Sequence, residues 1–346
     1  MSYLLSCALS LALLTVSLPA YSGGSVSYSY EGIARSGPMA IGAVLNDWKG
    51  KFYKEDDGFL WQQILSSVRI ENTQVSYVDR RHAEYRFPHQ LAKGFYYATN
   101  DISLPSVYKQ KATVKAQDYR GYGWQLDHSF STSKTLTITP TITWLKVNRS
   151  TWGRIKGDVF YQNPDEQGGR LEVDYGYTED KVLKRPLAQN YYGDLYALGL
   201  ALEWQKGVYD VYYRGENLLA ELHWQNLPYT DAIVDTSARF LLDGFEFHKK
   251  KRERPRDVHW LNQSYQISPN WTLIVNSMLT SLFITHDIGA RWHLSHTDID
   301  LSYNPFWKSV TTAVSHKNIG IRLTSDNINI GESRTLVASG FVALSF

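Results

Sequence analysis

From Thr135 to Trp144 the chain places Leu136, Ile138, Pro140, Ile142 and Trp144 in strict alternation with Thr135, Thr137, Thr139, Thr141 and Thr143. A period of two puts every apolar side chain on one face of an extended strand, which no helix can do. The pattern recurs. Leu171, Val173, Tyr175 and Tyr177 alternate with Arg170, Glu172, Asp174 and Gly176, and Tyr196, Leu198, Leu200, Leu202 and Trp204 alternate with smaller or charged residues. Further strands are expected over 238–248, 257–267, 271–285, 288–303, 308–323 and 334–346, separated by Gly, Pro, Asn and Asp. No helical pattern intervenes, so the class is all-β with hairpin connections: a soluble sandwich or barrel, or a closed membrane barrel.

Composition narrows the function. At 43% hydrophobic and 20% charged the chain is too apolar to be disordered, and a mean hydropathy of -0.35 is too polar for a bundle of membrane helices. A net charge of +2 lacks the basic footprint of a nucleic-acid binder, and nucleic acid is excluded as a partner.

The segment 4–16 is an apolar run too short to span a bilayer and suited to the core of a secretory signal. Small residues at Ala20 and Ser22 predict cleavage after Ser22, with Ala20 as the second choice. The expected organisation is a signal peptide over 1–22 and one domain over 23–346. Cys7, the single cysteine, falls in the signal, so the mature chain would carry neither a disulfide nor a thiolate site.

Two features favour the membrane barrel. The apolar face of 196–204 begins and ends on an aromatic, and its eight steps of about 3.3 Å, tilted by about 40°, span roughly 20 Å, close to an outer-membrane apolar band. Trp144, Trp204, Trp224, Trp260, Trp271 and Trp292 also fall near strand ends, where amphipathic rings collect at membrane interfaces. The chain then stops on Gly340-Phe341-Val342-Ala343-Leu344-Ser345-Phe346, with Val342, Leu344 and Phe346 on one face. This ending resembles the closing strand and assembly signal of the Gram-negative outer-membrane β-barrel superfamily, with its porin-like architecture; the glycine stands one position earlier than in the commonest form. The resemblance implies export, periplasmic chaperones, insertion by the barrel-assembly machinery, and an outer-membrane location among lipid and lipopolysaccharide. It leaves oligomeric state open.

The expectation is a closed antiparallel transmembrane β-barrel of about 14 strands, with 12 or 16 as alternatives. Counting back from Phe346 makes Asn304-Pro305 and Pro269-Asn270 periplasmic turns. The basic loop Lys249, Lys250, Lys251, Arg252, Arg254 and Arg256 is then extracellular, facing lipopolysaccharide phosphates or solvent. The stretch 38–111 reads as irregular, either an inward constriction loop or hairpins with long outer loops.

Chemistry is sparse. There is no phosphate loop, nucleophile elbow or paired-cysteine site, and no cofactor or metal is expected. His293 and Ser295 have the spacing of a base and a nucleophile on one strand face, similar to the His-x-Ser of outer-membrane phospholipase A, although the Asn-Gly after that serine is replaced here by His296-Thr297. The apolar parity shifts between Leu294 and Ile299, which predicts a bulge near His296 and turns Arg291, His293, Ser295, Asp298 and Asp300 inward. With Arg170, Glu172, Asp174, Arg239 and Asp243, these would line a lumen with charges of both signs. The reading is a passive channel for small hydrophilic solutes, although the acidic Pro-Glu-Phe-Gly-Gly constriction signature of porins is absent. The alternatives are a lipid hydrolase using His293 and Ser295, and a non-conducting structural or secretion-accessory barrel.

Overall fold

The computed structural model describes residues 23–45, 48–179, 191–235, 241–248, 250–281 and 283–346, without the side chains of 45, 241–248 and 251. The expected signal 1–22, Arg239, Lys249 and the side chains of Asp243 and Lys251 lie outside the described residues.

Alternation dominates the architecture. The chain opens with β1 (Gly24–Ser36), the short helix α1 (Ile41–Leu45), β2 (Asp57–Ile70), β3 (Thr73–Arg86) and helix α2 (His89–Thr99). Next come β4 (Tyr108–His128), β5 (Phe130–Ser131), β6 (Leu136–Asn163), β7 (Glu166–Tyr177), β8 (Tyr192–Lys206) and β9 (Tyr209–Gln225). A ribbon of β10 (Leu227–Asp235), β11 (Leu241–His248) and β12 (Lys251–Glu253) precedes β13 (Val258–Ser268), β14 (Trp271–Thr280), β15 (Ile284–Leu294) and β16 (Thr297–Asn304). The chain ends with β17 (Ser309–His316), β18 (Ile319–Ser325) and β19 (Thr335–Ser345).

Antiparallel pairing runs from β1 through β2, β3, β4, β6, β8, β9 and β13, then strand by strand to β19. β19 pairs back onto β1 from Ser25↔Ser345 to Arg35↔Thr335. Among the described residues, 14 strands therefore close a barrel. The seam is sealed at its tip: Phe346 N donates to Gly24 O at 3.0 Å, and Gly24 N donates back to Phe346 O at 3.1 Å. A Cβ at Gly24 would lie 2.4 Å from the Phe346 ring, so a larger residue there would have to displace that ring. Closure removes the unpaired edge that an open sheet would present. Beyond the ring, β7 pairs with the far half of β6, and β10 and β11 continue that ribbon.

The two faces differ as the alternation demands. Outward-facing apolar residues such as Leu126, Ile142, Leu198, Ile288, Leu301, Ile321 and Leu323 are exposed, whereas Thr141, Thr143, Ser302, Thr311 and Thr324 are buried inside. Two-residue turns at 71–72, 207–208, 269–270, 295–296 and 317–318 gather at the end of the barrel that holds Phe346, here called the turn end. Longer connections form the opposite loop end.

Several expectations are corrected. The span 288–303 is not one bulged strand: β15 and β16 are joined by a tight turn at Ser295 and His296, with Ser295 at φ 59°. Likewise 308–323 is the hairpin of β17 and β18, turning at Lys317 with φ 49°. Both turns use non-glycine residues in the left-handed region, so no Gly or Pro marks them. Asn304-Pro305 consequently lies at the loop end, opposite Phe346. Because two hairpins were missed, the errors cancel further back, and the basic loop stays at the loop end while Pro269-Asn270 stays at the turn end. The irregular stretch 38–111 contains β2, most of whose odd-numbered residues face inward, and β3. Trp224 and Trp260, expected at the membrane interfaces, are buried inside the barrel.

Candidate functional site: the barrel interior and its mouth

The interior is crossed by packed side chains. Near β1, β2 and β13 to β16, Ile33, Phe59, Trp61, Trp260, Met278 and Trp307 form one apolar cluster. On the other side Val78, Tyr119, Leu145, Leu195, Leu222 and Trp224 form a second. Between them lies a girdle of paired charges.

Its centre is Arg80, fully buried on β3 and 5.0 Å from the centroid of the Trp61 ring. Its guanidinium donates to Gln63 at 2.8 Å and to Glu216 at 3.1 Å. Arg214 continues the chain of charge, pairing with Glu31 at 2.7 Å and lying 3.9 Å above the Trp260 ring. Tyr119 is tied to the girdle by Asn217, which donates to its hydroxyl at 3.3 Å. Local backbone irregularity makes this geometry. Opposite β8, Leu198 pairs with Leu219 and Leu200 with Gly215, so residues 216–218 of β9 stand against Gly199 alone, with Asn217 at φ 56°. This wide bulge pushes Glu216 and Asn217 toward β3. Beside Arg80 is His82, fully buried, ringed by Phe59, Trp61 and Tyr119, with neither nitrogen hydrogen-bonded.

At the turn end the wall of β14 to β16 carries a second polar group. Arg291 clamps Asp300 with two bonds, at 2.6 and 2.8 Å. His293 bonds Asp298 through Nδ1 at 2.7 Å and Thr272 through Nε2 at 2.6 Å. Thus Arg291, His293, Asp298 and Asp300 come together as cross-strand pairs of one hairpin, while Ser295 sits in the turn. Among the described residues no hydrogen bond joins His293 to Ser295, and no group of three or more His, Cys, Asp or Glu is arranged to hold a metal ion.

Above the girdle, at the loop end, a cavity of about 450 Å³ opens between β3, β4, β6, β7 and residues 253–256. Arg256 enters it to pair with buried Glu84 at 3.4 Å, and Arg154 pairs with Asp174 at 3.3 Å. Tyr229, on the outer ribbon, donates to the same Asp174; burial, reinforced by that bond, pushes its phenol pKa well up and keeps it a donor. Arg254 lines this cavity, and Arg252 instead pairs with Glu221. Lys250 is exposed. Arg170 and Glu172 share the Asp174 face of β7, further out and exposed, while Val173, Tyr175 and Tyr177 are buried on the other face.

The sequence reading missed Arg80, Glu216, Arg214 and the vestibule residues. A signal was present. Leu218 and Leu219 stand side by side where alternation should separate them, which marks the slipped parity of the β9 bulge.

No protein-family model matches the chain, and no curated protein matches it. Among solved structures, the Pseudomonas putida toluene transporter TodX is similar at TM-score 0.38 and 10% identity, over 97% of this chain and 92% of that one. The Ralstonia pickettii toluene transporter TbuX is similar at TM-score 0.34 and 10% identity, over 94% and 90%. A variant of the Rh. blastica porin is similar at TM-score 0.25 and 7% identity, over 92% and 99%.

Proposed function

We propose that the chain is an outer-membrane barrel acting as a gated passive channel for small hydrophilic solutes, which enter through the loop-end vestibule. The observation that carries this reading is the inverted polarity of the wall. An outward belt of exposed Leu, Ile and aromatic residues would be a large unfavourable patch in water, whereas in hydrocarbon a closed ring satisfies every backbone group. No helix among the described residues is long and apolar enough to cross a membrane, so crossing falls to the strands. Inside, ion pairs of both signs offer a field that sorts hydrated solutes. The girdle holds the resting lumen shut, and passage requires the side chains around Arg80 to move.

Export through the expected signal, periplasmic chaperoning and insertion by the barrel-assembly machinery belong to this reading, as does contact with lipopolysaccharide at the loop end. A second reading, a non-conducting structural barrel, is favoured by the dense packing of the same girdle. Planar-bilayer recording separates them. The channel reading expects small steps from the unmodified protein and larger ones from Arg80→Ala or Glu216→Ala; silence from all three leaves the structural barrel. A hydrolase is disfavoured, since the hydrogen bonds of His293 run to Thr272 and Asp298 rather than to Ser295. Loss of acyl-ester hydrolysis in Ser295→Ala would reverse that judgement.

A further inference from the structure

The vestibule is more selective than a generic mouth. Of its cations, Arg154 and Arg256 are taken by carboxylates, but Arg86, Lys115 and Arg254 also line the cavity, exposed, and make no ion pair among the described residues. Buried Glu253 lines the same concavity, so five cations stand against the three carboxylates Glu84, Asp174 and Glu253; the balance stays positive and favours an anion, because cations gathered in a cleft focus the field there. Charge alone would fit any anion. A buried acceptor adds a second demand: Gln117 Oε1, on a side chain more than nine-tenths buried, has no hydrogen-bond partner, whereas the Glu84 carboxylate lies between His82 and Arg256. Gln117 uses its Nε2 on the Arg254 carbonyl at 3.3 Å, so its oxygen is held in place for an incoming donor. A buried acceptor left unpaired is costly, and a ligand hydroxyl relieves that cost. Trp152, also in the lining, supplies an aromatic surface against which an apolar ring face can lie. The volume is within the range of small-molecule sites.

We propose that the vestibule binds a hydroxylated anion of the acidic-saccharide class. Its phosphate or carboxylate lies among Arg86, Lys115 and Arg254, a hydroxyl donates to Gln117, and its ring rests on Trp152. The proposal builds on the channel reading by naming the solute class for that mouth. A phosphorylated sugar can come from a free solute or from a lipopolysaccharide headgroup. The cavity-lining residues Arg86, Lys115, Gln117 and Trp152 stand on the inward face of the wall, which favours the free solute.

Calorimetric titration of the full refolded barrel in detergent tests this, using glucose 6-phosphate, glucose, inorganic phosphate and lipopolysaccharide micelles as probes. Glucose 6-phosphate should bind, with glucose and inorganic phosphate each at least about tenfold weaker, since each satisfies only half the site. The pair Arg86→Gln with Lys115→Gln should weaken glucose 6-phosphate at least about tenfold, and Gln117→Leu and Trp152→Leu should weaken it while leaving phosphate unchanged. Gel mobility of unheated samples verifies that each variant is folded. Phosphate binding as tightly as the sugar phosphate, equal binding of neutral glucose, or indifference to the variants overturns the proposal; displacement of glucose 6-phosphate by lipopolysaccharide at lower concentration overturns its free-solute form. Conductance recorded in parallel keeps the two readings apart. Binding without conductance leaves the site and removes the channel, and conductance without binding does the reverse.

Discussion

Arg80 and Glu216 meet at 3.1 Å inside the barrel although three wall strands, β4, β6 and β8, stand between β3 and β9 in the ring. The contact exists because β9 bulges inward opposite Gly199. Both side chains are buried, so each depends on the other for compensation.

Replacing Arg80 with Met should therefore destabilise the folded barrel by about 3 kcal/mol, because it leaves Glu216 buried with only the more distant Arg214 nearby. The double change Arg80→Met with Glu216→Leu should cost less than the single one. Guanidinium unfolding in lipid vesicles measures both, and a double variant as weak as the sum of its singles would refute mutual compensation.

Unheated protein in detergent should migrate differently from boiled protein on a gel. A closed ring has no free edge from which strands can peel, so it resists detergent until heated. Identical mobility, with recovery in a soluble fraction, would contradict the membrane reading.

Charge at the seam should be tolerated on one face only. Phe346 continues the outward face of Leu344 and Val342, whereas Ser345 pairs with Ser25 on the inward face. Phe346→Asp should lower outer-membrane yield severely, while Ser345→Asp should lower it little, as charge on the lipid side costs more. Equal yields would undo the face assignment.

Orientation can be read with single cysteines and an impermeant maleimide on intact cells. Cysteines replacing Lys250 and Pro305 should be labelled, and those replacing Asn270, Ser295 and Lys317 should not. Pro305 is the discriminating position, because it changes ends when the hairpins at Ser295 and Lys317 are recognised. Protection at Pro305 with labelling at Ser295 would invert the barrel.

Where one strand face was uniformly apolar, as in Leu136 to Trp144, the sequence alone was enough to place the strand and its outward face. Elsewhere the same rule lost its contrast. On β3, the inward set Arg80, His82 and Glu84 is polar, while the outward set includes Asp79 and Arg81, which pair with Arg120 and Asp118. Neither parity there is apolar, so period two becomes invisible. The turns at Ser295 and Lys317 were missed for a different reason: their backbone strain is absorbed by residues that carry no turn signature. The girdle partners are distant in sequence, and only the β9 bulge, whose trace in the sequence is the adjacent Leu218 and Leu219, brings them together.

That distance also sets an order of events. Arg80 waits 136 residues for Glu216, and Glu31 waits 183 for Arg214. Until β9 is in place, the first strands carry the buried Arg80 and the half-buried Glu31 without these counterions, and a half-built sheet is penalised for entering an apolar phase. The last partners to arrive neutralise the first strands to form. On the membrane reading, insertion is thereby coupled to near-completion of the wall, and a truncated or stalled chain stays outside the bilayer.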